Sequence, residues 1–319
     1  MFSRARLHPR HEALFEYDAI WNHGGFDMHK HRTVIGFLLF MSGLSFAATL
    51  QVAAQETPAH EAPEQDAPAT PPPPAAPAAL DAADARYAQV LKAIVDRDGL
   101  VRYDWLAMPR HLEWLGECID GYAKVSLPAD SHQRLAFWCN AFNANVLMLA
   151  LEESQKENFV NVQQVGGFFE SRPIIVAGET MTLHGLQNDR IRKEGEARIH
   201  AALVSAAMSS PPLRDEPYLV DRLNEQLDEQ CHRWIGDRRQ NFVRGDVLVL
   251  NRIMDWYSTD FIGKPYGDRL GFVKAYAAPG SPIARYLENA EKPRIEWESF
   301  DWTLNQAPLR PAPRREPEQ

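Results

Sequence analysis

From Arg134 to Glu153 the chain reads RLAFWCNAFNANVLMLALEE. A helix of this composition is apolar nearly all round, so it has no face to give to water and must be wrapped by other elements. A chain of 319 residues, 45% hydrophobic and 24% charged, has the material to wrap it. Two asparagines, Asn140 and Asn143, stand one helical turn apart inside that run. Asparagine is a poor helix former and needs hydrogen-bond partners when buried. The pair either orients a neighbouring catalytic group or ties down a nearby loop, and both readings stay open.

The folded part is bounded by composition. Residues 1–27 read as a non-native N-terminal extension ahead of Met28. From there MHKHRTVIGFLLFMSGLSFAATLQVAA has the order of a secretory signal: a basic start, an apolar core and small residues before Ala54. Residues 28–54 are therefore expected to be a cleavable signal peptide and the protein periplasmic or secreted, with no stable membrane span after cleavage. The alternative is an uncleaved N-terminal membrane anchor. Residues 55–80 are Pro/Ala-rich and predict an extended, disordered linker. Residues 306–319 predict a disordered tail, which leaves one folded domain over 81–305.

Within that domain, apolar spacing predicts helices through Tyr87–Ile94, Leu112–Tyr122, Asp130–Glu153 and Leu219–Trp234, with another from about His184. Leu100–Trp105 alternates like a short strand. PIIVAGETMTL predicts a hairpin turning at Ala177–Glu179, and FVRGDVLVLN a second turning at Gly245–Asp246. RIMDWYSTDF leads into further helices. Helices and short strands alternate irregularly, which places the domain in the α+β class rather than a regular parallel βαβ fold.

The stretch RIHAALVSAAMSSPPLRDEPY, Arg198–Tyr218, carries the chemistry worth testing. Ile199–Ser205 reads as a strand, and Ser209-Ser210-Pro211-Pro212 as a turn, because each proline restrains itself and the residue before it. His200 is a candidate general base, and Ser205 or Ser210 a candidate nucleophile. On an extended strand, however, His200 and Ser205 face opposite sides. Ser209 and Ser210 could swing back, yet no flanking glycines build the GxSxG elbow of a hydrolase. The rival reading is a core histidine and hydroxyls that serve the turn. Arg214 either binds a carboxylate ligand or pairs locally with Glu216.

Other clusters are weaker. Cys118, Cys139 and Cys231 leave room for one disulfide, and their spacing makes no metal or redox motif. Asp255, Asp260 and Asp268 match no EF-hand loop and read as a solvated acidic surface. Trp256-Tyr257 is expected to pack on the core, or to line a ligand groove. No spacing calls for a cofactor or a metal, and a net charge of −9 does not favour nucleic acid as a partner.

AFWCNAFNANV, the first hairpin, RIHAALVSAAMSSPPLRDE, LNRIMDWYSTDF and FDWTLNQA come in the order found in the domain of unknown function 547 family. The chain resembles that family over about residues 85–305. Asn140, Asn143, His200, Pro211, Pro212, Arg214, Asp255, Trp256 and Tyr257 match its pattern. The departures are specific. The pattern places cysteines where this chain has Ser205 and Ser210, and Ile-Glu-His where it has Leu186-Gln187-Asn188. Cys139 beside Trp138 is loosely similar to the Cys-Trp step of papain-like and transglutaminase-like enzymes, but the family pattern is aliphatic there and a buried cysteine commonly acts as a small hydrophobe.

Serine keeps the shape of cysteine but needs a well-placed base to become a nucleophile. The resemblance therefore implies a degenerate site lined by Asn140, Asn143, Gln187, Asn188, Ser209 and Arg214. The expected function is a non-catalytic domain on a thiol-enzyme-like scaffold, binding a small molecule or an envelope protein. One alternative is a serine-dependent hydrolase or acyl-transferase using His200 with Ser205 or Ser210. A second is a structural envelope protein.

Overall fold

The computed structural model describes residues 76–308, with side chains from Leu80 onward, and all of them belong to the unit Pro73–Gln319. The expected extension, signal peptide and most of the linker lie outside the described residues, as does all of the tail beyond residue 308.

The apolar run forms helix α4, Ser131–Ser154, with Asp130 accepting the Gln133 amide at 2.8 Å as its N-cap. Its side chains are buried on nearly every face, among them Phe137, Trp138, Phe142 and Leu147. Each contributes roughly 1.5–3 kcal/mol by leaving water. Among the described residues, α4 alone is long and apolar enough to cross a membrane, and 89% of its most apolar window is inside the domain. Here it is the core helix.

Against it pack α1 (Ala76–Ile94) and α3 (Pro109–Lys124), with the short α2 (Tyr103–Leu106) packed on both of these. Helix α1 opens at Ala76, within the stretch read as linker. The hairpin β1 (Ile174–Val176) and β2 (Glu179–Met181) turns at Ala177-Gly178, where φ values of 51° and 75° give the left-handed pair of a tight hairpin turn. Thr182 then caps α5 (Leu183–Gly185), and the chain widens into a π-helical turn at Leu186–Arg190 and tightens into a 3₁₀ turn at Ile191–Glu194. The single helix expected from His184 is thus three short pieces.

A second layer holds α6 (Ile199–Ala202), α7 (Leu223–Gly236) and a three-stranded sheet of β3 (Phe242–Arg244), β4 (Val247–Leu250) and β5 (Arg294–Trp297). Strand β4 pairs antiparallel with β3 and parallel with β5, and all four of its residues are buried, as its unbroken VLVL implies. Helices α8 (Ile253–Trp256), α9 (Arg269–Tyr276) and α10 (Pro282–Asn289) complete the α+β domain.

Three local expectations need correction. Ile199–Ser205 is not a strand: Ile199–Ala202 makes one helical turn and the next residues run extended without strand pairing. The reason is Asn143, which donates to the Ala202 carbonyl at 2.9 Å and accepts the Val204 amide at 3.0 Å. A side chain here satisfies backbone groups that a strand would give to a ladder. In Leu100–Trp105 only Val101 bridges, to Val95 and Gln306, before the chain turns into α2. Leu219 lies ahead of α7, which starts at Leu223. At the other end, bonded chain continues past Asn305, because Ala307 donates to the Val101 carbonyl at 2.8 Å.

Candidate functional site

Ser205–Pro212 is wedged between the C-terminal segment and the Asp98-Gly99 turn. Met208 and Ser209 donate backbone N–H groups to the Thr303 and Asp301 carbonyls at 2.8 and 3.1 Å, and Ser209 Oγ accepts the Asp301 amide at 2.9 Å. The closing FDWTLNQA motif is therefore a seal along the serine segment. Gly99, at φ +78°, lies so close to Pro212 that a Cβ there would stand 2.4 Å from the proline ring, so the turn requires glycine twice over.

Inside this frame Ser205 and Ser210 meet. Ser210 Oγ accepts the Ser205 amide at 3.0 Å and the Ala207 amide at 3.2 Å, and lies 2.8 Å from Ser205 Oγ. A hydroxyl oxygen has two lone pairs. With both taken by amides, Ser210 donates its proton to Ser205, and only Ser205 keeps a hydroxyl hydrogen to give. Ala206, between the two, holds a left-handed φ of 54°. That conformation is uncommon for a residue with a Cβ and is stabilised by the bonds on either side.

His200 belongs to a different network. It is buried on α6, and its Nε2 lies 2.9 Å from Asp260 Oδ2. Arg192 grips the same carboxylate with two bonds, at 2.6 and 2.7 Å. The imidazole stacks on Tyr257 at 4.4 Å between ring centres, with Phe261 beside it at 5.3 Å, and the Arg192 guanidinium lies over the Tyr257 ring at 4.9 Å. Burial alone would raise the Asp260 pKa, but the bonds from Arg192 and His200 outweigh it and hold the carboxyl well below the usual range. Burial pushes the His200 pKa down, with Asp260 acting against that shift. His200 is then neutral near pH 7, carries its proton on Nε2 towards Asp260, and keeps its lone pair on Nδ1.

The sequence-predicted residues thus divide. Gln187 hydrogen-bonds Tyr257, and Asn188 accepts from Arg192 at 2.7 Å, so both join the His200 network from the π-helical turn. Such turns often carry functional side chains. Ser205, Ser209 and Ser210 lie in the sealed turn, where none of them bonds His200 among the described contacts. Asn143 grips the chain between the two groups. Asn140 is elsewhere: it clamps Tyr218 through both backbone groups, at 2.8 and 2.9 Å, and donates to Asp84. Burial raises the Asp84 pKa to about 6. Arg214 forms the local pair with Glu216 and also reaches Glu229 at 2.9 Å.

Asp260 corrects the acidic-surface reading, for it is the central acceptor of the His200 network. Asp255 meets Arg269 at 3.1 Å at the surface and Asp268 caps α9, so those two are ordinary. Arg192 was not singled out from sequence at all. Its only signal was its position four residues after Asn188, the spacing of neighbours on a helix. The three cysteines are free and buried, and burial raises each thiol pKa, which leaves neither a disulfide nor a thiolate nucleophile. Among the described residues no three His, Cys, Asp or Glu side chains gather as metal ligands.

A cavity of about 450 Å³ opens on the far side of Asp260. Its wall runs from Gly195–Arg198 through Asp228 and Asp260–Tyr266 to Tyr276.

Fold and site together define an α+β domain built on a buried helix, with a polar histidine cluster beside a sealed serine turn. Residues 128–235 match the model of the family described as protein of unknown function, DUF547, and the chain carries a domain of that family. The match runs from just before α4 to the last turn of α7 and stops short of Tyr257 and Asp260. No curated protein and no solved structure matched the chain.

Proposed function

We propose that this chain is an exported, non-catalytic ligand- or protein-binding domain on a thiol-enzyme-like scaffold. The reading rests on one observation: the Ser205 and Ser210 hydroxyls bond each other and the backbone, while His200 Nε2 faces Asp260. A nucleophilic serine needs a base to take its proton. Ser210 has already committed its proton to Ser205. The cavity beside Asp260 supports a binding role, since ligand sites are commonly preformed concavities with a few polar groups. Export rests on the N-terminal sequence pattern alone.

A second reading, a serine hydrolase or acyl-transferase, is favoured by a different observation. Neutral His200 keeps a lone pair on Nδ1, and Ser205 keeps its hydroxyl hydrogen, the two halves of a base–nucleophile pair. Treatment of the full chain with a fluorophosphonate serine probe separates the readings. The binding domain stays unlabelled. Labelling that disappears in both Ser205→Ala and His200→Ala overturns it in favour of the enzyme.

A further inference from the structure

The cavity beside Asp260 has a wall whose charges cancel. Glu196, Asp228 and Asp260 supply three carboxylates, and Arg198, Lys264 and, behind Asp260, Arg192 supply three cations. Most are already matched. Arg198 reaches Glu196 at 2.7 Å and Asp228 at 2.9 Å, and Arg192 holds Asp260. A charged ligand would have to break these pairs, and the balanced wall has no net field to draw one in. The wall is nonetheless polar, so the ligand it suits is neutral and rich in hydrogen-bonding groups.

The directions of the wall's own bonds narrow this further. Asp228 only accepts, so Tyr276, at 2.8 Å, donates to it. Tyr266, 2.6 Å from the Tyr276 oxygen, then donates to Tyr276. The Tyr266 oxygen is left as an acceptor at the cavity, and so is Asp228 Oδ2, which takes no described bond. Lys264 is exposed and forms no ion pair among the described residues, so its ammonium brings donors. Acceptors and a donor therefore line one small space. A hydroxyl group both donates and accepts, and it satisfies such a wall where a carboxylate or an ammonium satisfies only half.

The remaining lining brings apolar groups to the same space. The Tyr266 ring is half-buried against Phe272, Phe261 is buried behind, and Ile262 is 70% exposed at the rim. Aromatic faces of this kind pack against C–H-rich surfaces. A ring with hydroxyls at its edge and C–H bonds on its face combines both requirements, and about 450 Å³ is room for one or two such rings. We infer that this cavity is a carbohydrate-binding site, with Tyr266 as the stacking platform and the Tyr266–Tyr276–Asp228 chain and Lys264 as the hydroxyl-reading groups. The inference rests on the binding reading for its biological sense but not for its test.

That test is calorimetric titration of the full chain with cellobiose, maltose and N,N′-diacetylchitobiose, with succinate as a charged control. Saturable binding of at least one disaccharide is expected, and none of succinate. Tyr266→Ala and Asp228→Asn should each weaken it about tenfold or more, the loss expected when a stacking face or a buried hydrogen bond is removed. Asp228→Asn guards against a Tyr266→Ala protein that fails to fold. No heat from any disaccharide with folded protein overturns the assignment. So does binding that both variants leave unchanged, or binding of succinate in place of sugar. Serine labelling by the fluorophosphonate probe alongside sugar binding would instead sink the non-catalytic reading and leave this site standing.

Discussion

His200 and Ser205 are five residues apart and belong to opposite kinds of structure. His200 sits in an ionic cluster, where Asp260 and Arg192 neutralise each other and the imidazole is buried against Tyr257 and Phe261. Ser205 sits in a neutral knot, where two hydroxyls and two amides close on themselves. The first depends on partners from distant parts of the chain, the second on a turn of six residues, Ser205–Ser210, sealed by the C-terminal segment. The difference teaches that proximity in sequence does not make one site. Asn143 is what keeps them apart, since it fixes the backbone at Ala202 and Val204 and so the path from one to the other.

The severest way to break the contrast is Asp260→Ala. Arg192 and His200 lose their shared acceptor, and removing one partner of a buried pair typically costs about 3–5 kcal/mol; the partial exposure of this pair lowers the expectation to about 2–4 kcal/mol in urea unfolding. Loss of less than about 1 kcal/mol would mean that the ionic cluster contributes little to stability. Asn143→Ala comes next, at about 2–3 kcal/mol, because two buried backbone groups are left without partners. If the two regions are tied through it, that variant should also disturb the nuclear magnetic resonance shifts of both His200 and Ser210.

The neutral knot should respond more weakly. Ser210→Ala removes the acceptor of two amides and is expected to cost about 1–2 kcal/mol, whereas Ser205→Ala removes one hydroxyl and should cost under about 1 kcal/mol. The reverse order would mean that the two amide bonds to Ser210 Oγ contribute little to stability.

Acidity sharpens the comparison further. His200 is held neutral in the folded domain, so the unfolded chain binds its proton first and stability is lost as pH falls below about 6.5. The depressed Asp260 carboxyl adds stability that is present above its unfolded value of 3.8 and lost only as pH falls below that towards its folded value. Asp84 runs the other way. Its pKa of about 6 makes its charge a cost above that pH, relieved as the group protonates between 6 and 3.8. Asp84→Asn should therefore stabilise the domain by about 1 kcal/mol at pH 8 and by nearly nothing at pH 4. His200→Gln should flatten the slope just below pH 6.5, while Ser210→Ala should leave the shape of the profile unchanged. A slope just below pH 6.5 that His200→Gln leaves unchanged would remove the neutral buried histidine from the account.

Some of this is legible in the sequence alone. The all-round apolar run named the core helix and its opening near Asp130, and Ala177–Glu179 and Gly245-Asp246 the two hairpin turns, because helix period and turn chemistry are local properties. The Arg214–Glu216 pair was local as well, whereas the serine turn closes at Ala207–Ser210, ahead of the two prolines. Asn140 and Asn143 announced a need for partners without naming them.

The strand expected at Ile199–Ser205 shows where such reading ends. Its apolar composition suits a strand, but a side chain fifty-nine residues away in sequence claimed the Ala202 carbonyl and turned the segment elsewhere. Asp260 was read as surface charge for the same reason: its partner Arg192 is sixty-eight residues distant, and nothing in the spacing of acids reports it.

The sequence by itself determined the α+β composition, the helix that must be buried and the hairpin turns. Only the tertiary structure decided which polar groups share a neighbourhood. Hydrogen bonds and ion pairs between distant residues exist because packing brings the groups within about 3 Å, and packing is a property of the whole chain rather than of any window along it.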